Sequence, residues 1–250
     1  MLLEVCIDSV EAALAASRGR AQRAELCADL LEGGVTPSAG MITAVRRQIG
    51  IELFVIIRPR GGDFFYTDLE FDVMTEEIGQ ARALGVDGVV LGLLDERCRV
   101  EVARTRRLVE LAAPLPVTFH RAFDHAPDLE SALEDVIATG ATRVLTSGGA
   151  PDAAEGAETI ARLVRQARGR IGVMPGGGVR LGNIARLAAT GATEFHSSLR
   201  SAHASPVRSG NPAVAVSRLG ADLERTRFTV REEDVRALTD ALDRLSGQRG

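Results

Sequence analysis

Eight short apolar runs, each followed by a longer stretch with apolar residues at helical spacing, constrain this chain of 250 residues more than any other feature. The runs are LLEVCID, RAELCAD, ELFVIIRPR, GVVLGLL, PVTFHRAFD, TRVLTSGG, IGVMPGGG and TEFHSSLR. Between them lie segments such as EAALAASRGRAQ, DVMTEEIGQARALG, VEVARTRRLVELAA, DLESALEDVIATG, AEGAETIARLVRQARG and LGNIARLAATG, whose period is that of amphipathic helices. Strand followed by helix throughout predicts parallel pairing with right-handed crossovers. Eight such units predict an α/β fold, a (β/α)8 TIM barrel, ahead of an open doubly wound sheet, and no GxGxxG fingerprint follows the first strand.

A weak internal repeat points the same way. LGVDGVVLG, TGATRVLTSGG and TGATEFHSS each place a glycine at a helix end before a strand, which marks Gly85, Gly140 and Gly191 as left-handed caps. Residues 1–250 are predicted to form one barrel domain. Within it, 201–228 reads as a loop-rich connection, partly disordered in SAHASPVRSGNPAVAVSRLG. A terminal helix over 229–246 follows, with Thr229 and Glu232 at capping-box spacing.

Apolar residues at 45% and charged residues at 26% suit a chain that buries a sizeable core. The formal charge of −4 gives no excess positive field, so neither nucleic acid nor an anionic membrane is expected as partner. Three cysteines, Cys6, Cys27 and Cys98, show no disulfide or CxxC spacing and predict reduced thiols in the cytoplasm. No secretory leader or membrane-spanning run is expected.

Side chains alternate along a strand, so one fixed residue sets the phase of the others. If Leu3, Val5 and Ile7 face the helices, Glu4, Cys6 and Asp8 point into the lumen; on strand two Glu25, Cys27 and Asp29 do the same. Thr118 and His120 on strand five, Glu194, His196 and Ser198 on strand eight, and Arg58 at the end of strand three join them. His120, Arg121 and Asp124 stand where barrel enzymes place their chemistry. Buried Glu4 and Glu25 need partners, and Arg58 and Arg121 are the expected ones. His120, Glu25, Glu4, Arg58, Arg121 and Asp124 are thus the acid, base and orienting candidates; the other reading is a structural network of mutually neutralising charges.

Glycine loops follow strands six and seven. Ser147, Gly148 and Gly149, then Gly176, Gly177 and Gly178, with Ser197 and Ser198 after strand eight and Arg200 beyond, form a candidate phosphate or carboxylate site. The alternative is that these glycines only allow tight turns. Cys6 and Cys27 stand at matching places in neighbouring strands, so their sulfurs should lie close, with His120 or His196 across the lumen. Such ligands favour Cu(I) or zinc, although two thiols do not complete a closed zinc site, and buried cysteine also serves as apolar filler. Cys98 looks incidental.

Taken together, LEVCIDS, AELCADLLEGGVTPS, IRPRGGDFFYTDLEFDVM, VTFHRAFD, RVLTSGGAP, MPGGGV and FHSS resemble the CutC family over roughly residues 1 to 200. The resemblance implies a cytoplasmic TIM-barrel protein of copper homeostasis, with copper(I) held near Cys6 and Cys27. Ile56 replaces the methionine of a usual MIRPR and removes a thioether, and RAQRA stands where GADRI is more typical. Two classes remain open: a copper(I)-binding protein, and an enzyme acting on a small anionic metabolite with a phosphate or carboxylate. A homo-oligomer is compatible with either.

Overall fold

The computed structural model describes residues 1–207 and 221–247. Eight parallel strands form a nearly closed barrel: β1 (Leu2–Ile7), β2 (Arg23–Leu26), β3 (Glu52–Ile56), β4 (Gly88–Leu91), β5 (Val117–Phe119), β6 (Arg143–Thr146), β7 (Gly172–Pro175) and β8 (Glu194–Ser197). Their order is β7-β6-β5-β4-β3-β2-β1-β8, so neighbours in sequence are neighbours in space and β1 meets both β2 and β8. Across the seam between β7 and β8, the Ser197 hydroxyl donates to the Val179 carbonyl at 2.6 Å, and Arg143 reaches Glu194 at 2.5 Å.

Helices α1 (Val10–Arg18), α2 (Ala39–Arg46), α3 (Asp68–Ala83), α4 (Val102–Ala112), α5 (Leu129–Thr139), α6 (Ala157–Ala167) and α7 (Ile184–Ala188) clothe the outside. Their ends follow local chemistry. Thr67 and Glu70 form a reciprocal capping box on α3, and Ser9 caps α1 by accepting from the Ala12 amide. Gly85, Gly140 and Gly191 are left-handed, with φ of +74°, +86° and +94°, as the repeat predicts.

Outward-facing Leu3, Val5, Ile7, Leu53, Val55, Val89, Phe119, Val144 and Phe195 pack under the helices in one continuous core. Burial of each such side chain contributes about 1.5–3 kcal/mol.

The C-terminal part departs from expectation. The stretch predicted as loop over 201–228 includes β9 (Arg200–Ala204), which pairs antiparallel with β10 (Thr226–Val230). A short α8 (Ala221–Glu224) precedes β10, and α9 (Glu232–Gly247) follows it. Thr229 therefore lies in β10 opposite Ser201 and is not the helix cap; strand pairing outcompetes the capping spacing. Residues 208–220, the larger part of the 201–220 stretch expected to be partly disordered, lie outside the described residues. α9 buries Val235, Leu238, Ala241 and Leu242, and Val235 sits so close to Gly19 that a Cβ there would meet it at 2.5 Å.

The lumen is filled from both ends. Near the strand N-termini, Arg23 is 1% exposed and bonds both Glu4 and Glu194, the latter at 2.5 Å, while Arg143 donates to Glu194 and to Thr118. The Phe54 ring lies against both guanidinium groups, 4.7 Å from Arg23 and 5.5 Å from Arg143. Gly88 opposes Phe54, and a Cβ there would meet the ring at 2.4 Å. The alternation rule holds, but the partners differ from those expected: Glu4 pairs with Arg23 and His196, while Arg58 and Arg121 are engaged elsewhere. Arg23 has the same strand parity as Glu25, and this places it below the carboxylates, within reach of Glu4.

Removing one member of a buried ionic set strands the others. Arg23→Met should therefore lower the unfolding free energy in urea titrations by about 3–5 kcal/mol. A loss under 1 kcal/mol would show that the network is not structural.

Candidate functional site

The register between β1 and β2 decides what stands at the barrel mouth. Cys6 lies opposite Glu25, so Cys6 and Cys27 are not at matching positions but offset by two residues. A closed barrel requires such stagger between strands. The offset turns a side-by-side pair into a diagonal one, and the sulfurs still approach to 3.7 Å. Both cysteines are buried, and Ile56 and Leu30 pack around them.

His196 joins them from β8. Its Nδ1 lies 2.7 Å from Glu4, and its Nε2 lies 3.7 Å from Glu25. Ligand atoms of Cys6, Glu25 and His196 all fall within 4.8 Å of one another. Cys27 completes a compact set of two thiols, an imidazole and a carboxyl.

These groups tune one another. The hydrogen bond from Cys27 outweighs burial and, with His196, draws the Cys6 thiol down to about 6. The same bond, with burial, pushes Cys27 well up, so the pair shares one proton. Burial alone would lift Glu4, yet the hydrogen bond with His196 and the charge of Arg23 hold it at about 2. Burial opposes a charged His196, but its bonds to Cys6 and Glu4 prevail and raise it well above the usual imidazole value. Burial, reinforced by the Cys6 charge, lifts Glu25 well above the carboxylate range.

A cavity of about 120 Å³ opens beside the set, lined among others by Cys6, Cys27, Arg58, Phe64, His120 and Arg121. His120 caps the one-turn 3-10 helix Arg121–His125 by accepting from the Ala122 amide at 3.2 Å. Burial, then the nearby Arg58 charge, pushes its pKa down to about 3. A ring that stays neutral to such acidity suits hydrogen-bond donation better than proton transfer near pH 7. Arg58 donates to the carbonyls of Glu32, Gly34 and Gly62, each at 2.8 Å, rather than to Glu4 or Glu25.

The glycine loops divide. After β6, the Asp124 carboxylate accepts from the Ser147 amide at 3.0 Å, the Gly149 amide at 3.2 Å and the Thr146 hydroxyl at 2.5 Å. The Gly148 amide donates to the Thr146 hydroxyl at 2.8 Å. The chain's own carboxylate thus occupies the anion cradle expected at Ser147, Gly148 and Gly149. Arg121 steadies it, donating to Asp124 at 2.8 Å and to Ser147 at 2.9 Å.

After β7, the Gly176 amide is taken by the Thr146 carbonyl at 2.9 Å, while Gly177 and Gly178 are left-handed at +93° and +74°. Ser197 spends its hydroxyl on Val179, and Ser198 is exposed. Two further lumen expectations fail or shift: Asp8 pairs with Arg200 at 3.2 Å, and Asp29 turns out to solvent at φ +45°. Cys98 is exposed and stands apart from the thiol set. Arg23, Arg143 and Phe64 went unselected by sequence reasoning. Strand parity could have found the two arginines; nothing in the sequence marks Phe64.

The model of the CutC family matches residues 1–201. The chain belongs to the CutC family. It is 53% identical over 244 residues to a family protein CutC of Chromobacterium violaceum, covering 97% of this chain and 98% of that one. It is 48% identical over 235 residues to the human copper homeostasis protein cutC homolog, covering 94% and 85%. A crystal structure of CutC from Streptococcus agalactiae superposes with a TM-score of 0.75 at 34% identity, over 79% of this chain and 98% of that one. Thiamine phosphate pyrophosphorylase of Pyrococcus furiosus, 16% identical with a TM-score of 0.61, covers 98% of this chain and 96% of that one and shares the fold alone. CutC family membership thus agrees with the barrel and with copper homeostasis as the family's named role.

The depressed pKa of His120 has a consequence for stability. The unfolded chain binds a proton near pH 6.5 that the folded chain refuses until about pH 3, so stability falls as pH drops between these values. His120→Gln removes that proton. Urea denaturation between pH 6 and 4 should show the parent chain losing stability more steeply than the variant, by up to about 1.4 kcal/mol per pH unit. Parallel curves would mean that His120 is not held neutral.

Proposed function

We propose that the chain binds copper(I) at the barrel mouth through Cys6, Cys27 and His196, as a cytoplasmic protein of copper homeostasis. The approach of the two sulfurs to 3.7 Å, beside a buried imidazole, carries this reading. A metal at a sulfur bond length of about 2.3 Å from each would see them about 107° apart, a normal bond angle. Thiolate and imidazole are the soft and intermediate donors that select Cu(I). Glu4, bonded to Nδ1 of His196, fixes the ring so that Nε2 faces the cavity, the usual second partner of a ligating histidine. The fourth donor within reach is the hard carboxyl of Glu25, better suited to zinc than to Cu(I). Ile56 lines the same cavity without a donor atom. All three cysteines are free, as a reducing compartment requires, and no helix among the described residues is long and apolar enough to cross a membrane.

Competition against a chromophoric Cu(I) chelator tests the assignment. Cys6→Ser with Cys27→Ser should weaken Cu(I) binding by at least about 100-fold, since each lost thiolate removes a principal soft ligand. His196→Gln should weaken it less. Unchanged affinity in the double variant, or a stronger hold on zinc than on Cu(I), would refute the copper site.

A further inference from the structure

Apart from the thiol set, two groups on the cavity wall are buried without the partners their chemistry calls for. Arg58 is 3% exposed, and three backbone carbonyls hold its terminal nitrogens. Carbonyls orient a guanidinium but leave its charge in place. Among the described residues no carboxylate comes within ion-pair distance of it; Asp63 feels its field from the exposed rim and is bonded to Arg60. A buried cation without an anion is the costly arrangement that proteins usually avoid.

His120 is the second group, 5% exposed, with its Nε2 buried and unpartnered. Because Nδ1 accepts from the Ala122 amide, a neutral ring carries its single proton on Nε2. The ring cannot swing away. Phe64 packs against it at a tilt of 55° with the ring centroids 5.0 Å apart, and the Nδ1 edge of His120 fills the space a Cβ on Gly92 would need, at 2.5 Å. Both His120 and Arg58 line the cavity of about 120 Å³. An engineered cavity of about 150 Å³ holds benzene, so this one admits a group of a few heavy atoms.

Arg58 and Phe64 also line a neighbouring groove of about 780 Å³, with Phe65, Leu94 and His125 as its other apolar and aromatic wall. Its edge carries Asp63, Asp95 and Glu96, which repel a second negative charge.

We propose that this wall binds the carboxylate of a small monocarboxylic acid. One carboxylate oxygen accepts from His120 Nε2–H in the uncompensated field of Arg58, and the acid's apolar body extends past Phe64 into the groove. Phosphate fits less well: it calls for several converging amides, and Asp124 already fills the cradle after β6. The acidic edge disfavours dicarboxylates. This wall shares its cavity with the proposed copper ligands but uses none of them, so the two readings can fail separately.

Calorimetric titration of the full chain with phenylacetate, acetate, malonate and inorganic phosphate tests the inference. Phenylacetate should bind at least tenfold more tightly than malonate or phosphate, with acetate between. In nitrogen-detected NMR, saturation with phenylacetate should move the His120 Nε2 resonance. His120→Phe should cost about ten- to a hundredfold in affinity, the range of a hydrogen bond to a charged group, while His120→Gln, which keeps an N–H donor, restores part of it. Cys6→Ser with Cys27→Ser should leave phenylacetate binding intact. No measurable binding, phosphate equal to phenylacetate, an unmoved Nε2 resonance, unchanged affinity in His120→Phe, or dependence on the two thiols would each overturn it.

Discussion

The ion pair between Arg23 and Glu4 is the interaction on which the rest of the lumen depends. Glu4 is a carboxylate at the centre of a barrel, where desolvation favours the neutral acid, and only the guanidinium below it and the imidazole above it keep it charged. Once charged, Glu4 fixes Nδ1 of His196, and this turns Nε2 toward Cys6 and Glu25. The charge order from the sealed end to the open end is therefore cation, anion, cation, thiolate. Each member is unfavourable alone and tolerable in sequence, so the functional groups at the mouth inherit their protonation states from an arginine near the opposite end.

The fold was legible because it follows from period and repeat. Eight apolar runs with intervening amphipathic segments leave few architectures, and the glycines at 85, 140 and 191 mark helix ends whatever the tertiary context. Lumen-facing residues were legible for the same reason, through parity. What parity does not supply is height. Barrel shear slides β2 by two residues relative to β1, so Cys6 stands beside Glu25 and Arg23 beside Glu4. No local sequence signal encodes that slide, and the expected pairing of Glu4 with Arg58 fails on it.

The polar end of VTFHRAFD shows the limit from another side. Its three ionisable residues were legible as a rim cluster, yet they divide their work. Asp124 serves as an internal anion that fills the amides after β6, and Arg121 balances it. A glycine-rich loop whose amides are already satisfied by a chain carboxylate looks, in sequence, identical to one awaiting phosphate. Only the turn Arg121–His125, which carries Asp124, four residues past His120, across to β6, separates the two cases. Thr229 fails for a related reason: the cap spacing is local, whereas the strand that claims the residue is formed with Arg200–Ala204, far away in the chain.

The two halves of the mouth follow opposite electrostatic rules. On the β1, β2 and β8 side, the Glu4 carboxylate and the Cys6 thiolate place negative charge around His196 and suit a cation. On the β3 and β5 side, Arg58 and a neutral His120 leave positive charge unmet. Phe64 stands on the second side, 4.9 Å from the Arg58 guanidinium and 5.0 Å from the His120 ring. Its ring faces screen both groups from water and keep the local dielectric low, which strengthens whatever field Arg58 exerts. A barrel mouth of about 120 Å³ thereby holds a cation-seeking wall and an anion-seeking wall without a salt bridge forming between them, because Arg58 is tied back by three carbonyls and cannot reach Glu25.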